Sequence, residues 1–321
     1  MKALVFKAPH QPIELEELPA PQEGENEVLV RIHAAALNHR DVWMTKGLYP
    51  GLKEGVIPGS DGAGISEGKA VILNPNVNWG TDPGYFGRNY TILGMPTNGT
   101  FAEYLSIQRD RLVEKPAHLS YEAAAALPLA GLTAYRVLFS KCRLRAGEKV
   151  LISGVGGGVA LFACQFALAI GAEVYVTSGA DWKIEKAIEM GAKGGANYRH
   201  DDWHKILHKA SGGFQVIIDS AAGDGFGQLL SMCQPGARIG LYGGTRGNIN
   251  KVSPHLIFWR QLEIYGSTMG NDQEFQEMVH FVSEHKIEPV IDSVFSLEEA
   301  ALAYEKMNSG AQFGKIILKI D

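Results

Sequence analysis

Cysteine is scarce in this 321-residue chain: Cys142, Cys164 and Cys233 are all there is. An odd number with no Cys-x-x-Cys excludes a disulfide framework and a four-thiolate zinc cage. Cys164 sits on the apolar face of an expected helix and Cys233 follows Leu229, Leu230 and Met232, and all three are expected to be small buried hydrophobes. Clustered positive charge is missing as well. Lys and Arg number 30 against 35 Asp and Glu, the formal charge is -5, and no basic run occurs. Displacing counterions from a polyphosphate backbone needs such clusters, so a nucleic-acid partner is not expected. Long apolar runs are also lacking. The stretch from Val159 to Ala172 is broken by Gln165 and falls short of the ~18 residues a membrane span needs. Met1–Lys7 has too short an apolar centre for a secretory signal. The expectation is a cytoplasmic protein with no membrane partner.

What is present is 45% hydrophobic residues, ample for a large core, in a length that suits two domains. The first hundred-odd residues read as β-rich, with Val28–His33 and Ala70–Leu73 as strands among Pro and Gly punctuation. Tyr85 to Thr100 reads as an ordered loop. From Tyr121 the pattern changes: Ala123–Leu127 and Leu132–Phe139 read as helices. Strands are expected at Lys149–Ser153, Glu173–Ser178, Phe214–Ala221, Ala237–Tyr242 and Leu262–Gly266. Helices are expected near 158–170, 182–190, 202–210 and 224–232. Near-continuous apolar strands alternating with helices indicate an α/β fold with a parallel sheet covered on both faces. A tail of helix (Gln273–Glu284), strand (Pro289–Phe295), helix (Leu297–Met307) and strand (Lys315–Ile320) is expected to return to the N-terminal β unit.

The sharpest local signal is Val150-Leu151-Ile152-Ser153-Gly154-Val155-Gly156-Gly157-Gly158-Val159-Ala160, a strand, a glycine turn and a helix start. Glycines let the backbone turn tightly and approach a pyrophosphate, which then caps the helix N-terminus. Gly154, Gly156 and Gly157 are placed for this, Gly158 and Val159 open the helix, and Ala160 must supply the close-packing position. The alternative is a tight strand-to-helix turn with no ligand. The next strand ends Thr177-Ser178-Gly179, without the carboxylate that receives a ribose 2′-hydroxyl in NAD sites. Lys183 follows on the early helix. Asp181, at the helix start, reads as an N-cap. A hydroxyl and bare backbone tolerate a 2′-phosphate, so NADPH is favoured over NADH.

With Ala35-Ala36-Leu37-Asn38-His39-Arg40-Asp41, Gly47-Leu48-Tyr49-Pro50, Pro58-Gly59-Ser60-Asp61-Gly62-Ala63-Gly64, Gly99-Thr100-Phe101-Ala102-Glu103-Tyr104, Leu127 to Tyr135 and the glycine turn in order, the chain resembles the medium-chain dehydrogenase/reductase superfamily. Within it, the resemblance is to the zinc-free quinone oxidoreductase and zeta-crystallin-like branch. It implies a Rossmann NADP-binding domain (121–270) and a GroES-like β domain built from both chain ends (1–120 and 271–321), assembled as a homodimer. It also maps Lys183 and Tyr198, in Asn197-Tyr198-Arg199, onto the 2′-phosphate. In zinc-dependent relatives a catalytic Cys stands near the Asn38–Asp41 block and a His-Glu pair follows Gly59. Here Ser60-Asp61 takes that place, no cysteine precedes Cys142, and the four-cysteine structural loop is missing, so no metal is expected. The segment 64–70 is shorter than the usual hairpin, and Trp43 stands where such reductases carry Tyr.

Removing a proton from a simple alcohol is hard without a Lewis acid. A zinc-free site suits electron-poor acceptors, quinones or α,β-unsaturated carbonyls, whose oxygen is held by hydrogen-bond donors. The candidates for that small-molecule site are Asn38, Tyr49 and, by resemblance, Thr133. Asn38 either offers its amide to a substrate or ribose, or holds a turn. Asp41 is expected to hold a turn, His39 to be solvated or packed, and Trp43 to shape the pocket. Other readings are a metal-free aldehyde or alcohol enzyme, and a non-catalytic NADPH-binding protein.

Overall fold

The computed structural model describes residues 1–320, which divide into two compact units, 1–132 with 270–320, and Thr133–Met269. The first boundary falls at 132/133 rather than 120/121, because the helix Tyr121–Ala126 packs on strands of the first unit.

In the first unit a seven-stranded sheet runs in the order Ile291–Ser296, Lys315–Lys319, Glu27–Ala36, Asp61–Ser66, Lys69–Leu73 and Leu112–Glu114. The seventh strand, Tyr104–Gln108, pairs with the first half of Glu27–Ala36. Both ends of the chain therefore close one sheet, with Ile317 opposite Ala36. Inward residues Val30, Ile32, Leu37, Leu73, Phe101, Ile316 and Leu318 form its core. The short segment 64–70 resolves as a tight hairpin: Ser66 pairs with Lys69, and Glu67 and Gly68 both adopt positive φ. Two residues at positive φ match the right-handed strand twist.

The second unit is a parallel sheet of six strands: β1 (Lys149–Ile152), β2 (Glu173–Ser178), β3 (Gly194–Asn197), β4 (Phe214–Asp219), β5 (Cys233–Leu241) and β6 (Glu263–Gly266). The spatial order is β3-β2-β1-β4-β5-β6, all neighbours parallel. The order reverses between β1 and β4. In such sheets a ligand binds outside the carboxyl ends of the strands at that reversal. Elements not individually expected include the helices His39–Thr45 and Pro254–Trp259, the glycine-rich edge strand β3, and the first-unit strands Asp61–Ser66, Tyr104–Gln108 and Leu112–Glu114. No helix among the described residues is long and apolar enough to cross a membrane.

Candidate active site and nucleotide site

The glycine turn sits at the carboxyl end of β1, at the reversal. Gly154 and Gly156 hold φ of 70° and 122°, which side chains other than glycine rarely adopt. The turn is fastened from both neighbours. Val155 N–H donates to Thr177 O at 2.8 Å, and Gly154 N–H to Thr177 Oγ1 at 3.3 Å. Beneath it Ser153 Oγ donates to the Asp219 carboxylate, which also accepts Ala222 N–H at 2.8 Å and Ala221 N–H at 3.2 Å. Asp219 is fully buried and fixes the ends of β1 and β4 together. The helix Gly158–Ala169 follows, capped by Gly157 with no side-chain bond to its first amides. Those amides and the open space over Gly157, where a Cβ would meet nothing within 4 Å, make a cradle for a phosphate.

Around the carboxyl end of β2 stand cationic and phenolic groups and one carboxylate, Asp181. A Cβ built on Gly179 would stand 2.7 Å from Tyr198 Oη and 3.1 Å from Arg199 Nε. The Arg246 guanidinium lies over the Tyr198 ring, 4.9 Å from its centroid. Lys183 lays its stem across Gly156, with Nζ 3.3 Å from where that residue's Cβ would be. Asp181 is not the N-cap expected of it. Ala180 takes that position, and the Asp181 carboxylate accepts the Asn197 amide at 2.9 Å. Ser178 is buried in the last position of β2. The residues present therefore fit a nicotinamide nucleotide: Gly154 to Val159 would hold the pyrophosphate, and Ser178, Gly179, Lys183 and Tyr198 would face the adenosine ribose. Arg246 escaped the sequence reading because its loop carries no pattern that places it.

In the first unit Asn38 stands before the helix His39–Thr45, and its backbone N–H donates to Asp41 Oδ2 at 2.7 Å. Asp41 thus holds the helix start, as its type and position suggest. The Asn38 side chain is committed at both ends. Its Nδ2 donates to Asp61 Oδ2 at 2.9 Å, and its Oδ1 accepts from Lys315 Nζ at 2.8 Å. The Lys315 ammonium also donates to Asp61 Oδ2 at 2.9 Å and to Leu37 O at 2.8 Å. Asp61 Oδ1 accepts Leu129 N–H at 2.8 Å. Both Asp61 and Lys315 are buried, 0% and 3% exposed, so their charges are matched away from water. Burial raises the Asp41 carboxyl to about 6, against the pull of Arg40.

Tyr49 is half-buried, its ring packed on the cluster of Phe6, Met44, Val56 and Met95. Its hydroxyl oxygen accepts from Arg40 Nη2 at 2.9 Å. Thr133 is buried in the helix Pro128–Tyr135 and is the residue at which the second unit begins. His39 is exposed and packs edge-on against Trp43. Sequence reading missed the Lys315–Asp61 pair and Arg40. The one available signal for Lys315 was a cation opening a strand whose next three residues, Ile316, Ile317 and Leu318, are apolar.

A family profile described as "Alcohol dehydrogenase GroES-like domain" matches residues 24–117, and one described as "Zinc-binding dehydrogenase" matches residues 158–284. A zinc-type alcohol dehydrogenase-like protein of Leptosphaeria maculans is 34% identical, across 97% of this chain and 95% of its own. The quinone oxidoreductase of Homo sapiens is 30% identical, across 94% of this chain and 92% of its own. A solved structure of an NAD-dependent alcohol dehydrogenase superposes with a TM-score of 0.94 at 34% identity, covering 100% of both chains.

The second profile's description raises zinc, and the residues do not fit that ion. Ser60 is held by Arg40, Asp61 by Lys315 and Asn38, and no thiol stands in these blocks. All three cysteines are buried, and burial pushes their thiols up to about 12, away from the thiolate zinc requires. Among the described residues no three His, Cys, Asp or Glu side chains gather as a ligand set.

Proposed function

The chain belongs to the medium-chain dehydrogenase/reductase superfamily, a family of oxidoreductases that bind a nicotinamide nucleotide, and from that premise we propose that it is an NADPH-dependent reductase of quinones or α,β-unsaturated carbonyls that works without zinc. The observation that carries the nucleotide choice is the end of β2. No carboxylate replaces Ser178 or Gly179, Tyr198 and Arg199 stand beside Gly179 with Arg246 over the Tyr198 ring, Lys183 lies across the neighbouring Gly156, and the one nearby carboxylate, Asp181, is engaged by the Asn197 amide. An added phosphate suits that field, and a bare 2′-hydroxyl gains little from it.

Bound NADPH supplies a hydride, and the protein supplies orientation and hydrogen bonds. Gly154 to Val159 hold the pyrophosphate in this reading, while Thr133 approaches the nicotinamide by resemblance. Asn38 and Tyr49 belong to the acceptor's surroundings. With both ends of its amide committed, Asn38 offers at most its second Nδ2 hydrogen. Tyr49 is therefore the stronger donor candidate. The test is turnover with a substrate panel, NADPH with quinones, enones and aldehydes, and NADP+ with simple alcohols. Turnover of quinones or enones supports the reading, and oxidation of simple alcohols alone sinks it. The second reading, an alcohol or aldehyde enzyme, is favoured by the relatives' names, and the same panel separates the two.

The reading includes a cytoplasmic setting, in keeping with three unpaired thiols, and a homodimer. β6 is an edge strand whose outer backbone groups have no partner strand among the described residues, and Phe258, Trp259 and Ile264 stand exposed beside it. A second copy pairing edge to edge would cover both.

A further inference from the structure

Arg40 is 6% exposed, yet its guanidinium bonds no carboxylate. Its Nη1 donates to Ser60 Oγ and, at 2.6 Å, to Leu93 O. Its Nη2 donates to Tyr49 Oη at 2.9 Å and reaches Met95 O at 3.5 Å. Nε is buried with no partner among the described residues. The guanidinium carbon lies 4.6 Å from the centre of the Tyr49 ring. The neighbouring Asp41 carboxylate turns instead to the Asn38 backbone. A buried cation that hydrogen-bonds no anion, with the Asp41 charge near it but bonded elsewhere, carries a desolvation cost that fastening two carbonyls does not require. Neutral donors would fasten that loop as well.

The phenol explains the choice. A guanidinium donates and never accepts. Tyr49 Oη must therefore turn a lone pair towards Arg40, and its single hydrogen must point elsewhere. No acceptor for that hydrogen stands among the described residues. We propose that Arg40 is a positioning residue that holds the Tyr49 hydroxyl with its hydrogen offered to the oxygen of a bound acceptor. This inference rests on the reductase reading above and deepens it by naming the substrate feature recognised, a carbonyl oxygen conjugated to the carbon that is reduced. The hydride arrives with its electron pair at that carbon. The displaced π pair moves onto the oxygen, where the Tyr49 hydrogen bond meets the growing charge, and one proton from solvent completes the reduction. A hydroxyl polarised by a cation behind it is a stronger donor than a hydroxyl alone, and it needs no reorganisation when the charge develops.

The test is a double-mutant cycle on the full-length protein with NADPH and a cyclic enone, joined to infrared spectroscopy. Tyr49→Phe is expected to lower kcat by ~100-fold, with little change in nucleotide binding. Arg40→Met is expected to lower kcat by ~10-fold or more, and to do nothing further once Tyr49 is Phe. Arg40→Lys, which keeps the charge and a donor, is expected to restore part of the loss. Additive losses in the cycle would overturn the proposal and leave Arg40 a loop fastener. If Arg40→Met does not fold, Arg40→Lys in the Tyr and Phe backgrounds completes the same cycle. Wild-type minus Tyr49→Phe difference spectra read the Tyr49 C–O stretch without cofactor or turnover. A shift of that band in Arg40→Lys supports the positioning contact, and an unchanged band overturns it. The spectrum judges the contact and enone turnover judges the reductase reading, so the two fail separately.

Discussion

Asp41 is a wholly buried carboxylate, with Arg40, Asp61 and Lys315 as charged neighbours and the buried phenol of Tyr304 within reach of its charge. Its folded value of about 6 stands above the ordinary 3.8. The folded protein therefore takes up a proton here that the unfolded chain does not. The stability from this group is complete below pH ~4 and is lost as pH rises through 6, up to about 3 kcal/mol. Asp41→Asn keeps an oxygen for the Asn38 N–H and removes the titration. Urea midpoints at pH 4.5 and 7.5 should show the wild type gaining on the variant at the lower pH. Parallel pH dependences would contradict the assignment. At the nucleotide, Lys183→Ala removes a charge-assisted contact and should weaken NADPH binding by ~1–2 kcal/mol while sparing NADH. Fluorescence titration of both nucleotides checks this, and equal losses would count against a 2′-phosphate at Lys183.

At the scale of elements, the hairpin 61–73 shows how much rests on one close approach. A Cβ on Gly64 would stand 2.0 Å from the Arg31 carbonyl oxygen of the neighbouring strand. Backbone cannot yield as a side-chain tip can, so Gly64→Ala should cost at least ~2 kcal/mol, measured as a drop in the urea midpoint. An unchanged midpoint would mean that the strands separate more easily than this register allows. The central parallel strands Lys149–Ile152, Glu173–Ser178 and Phe214–Asp219 were legible because each is mainly apolar, as a sheet covered on both faces requires. Glu173–Ser178 falls where the sequence puts it. Gly194–Asn197 was not legible, since Gly-Gly-Ala-Asn has no strand formers. It is a strand because a Cβ on Gly195 would meet Ile184 and Val176, so only glycine lets it approach β2. The helix His39–Thr45 was hidden because it buries Arg40 and Asp41 and exposes Trp43, against the usual amphipathic pattern, although Asn38 and Asp41 carry its start signal. The glycine turn was legible as a local pattern. The Lys315–Asp61 pair was not, because 254 positions separate its members and only the closed sheet brings them together.

For the whole molecule, self-association through β6 is the assembly the exposed edge supports. Ile264 is 41% exposed on that strand, and Ile264→Lys puts a charge where two copies would meet. Light scattering should then give twice the 34.8 kDa chain mass for the wild type and the single mass for the variant. A wild-type protein that runs as a monomer would remove the edge from the account. Beyond assembly, the chain reads as an oxidoreductase whose cofactor choice is written in the side chains around Gly179. The most direct measurement is the dissociation constants of NADPH and NADH for the purified wild-type protein, by intrinsic fluorescence at one ionic strength. The account predicts NADPH the tighter by ~10-fold or more, the worth of one charge-assisted contact. NADH binding as tightly as NADPH, or more tightly, would contradict it.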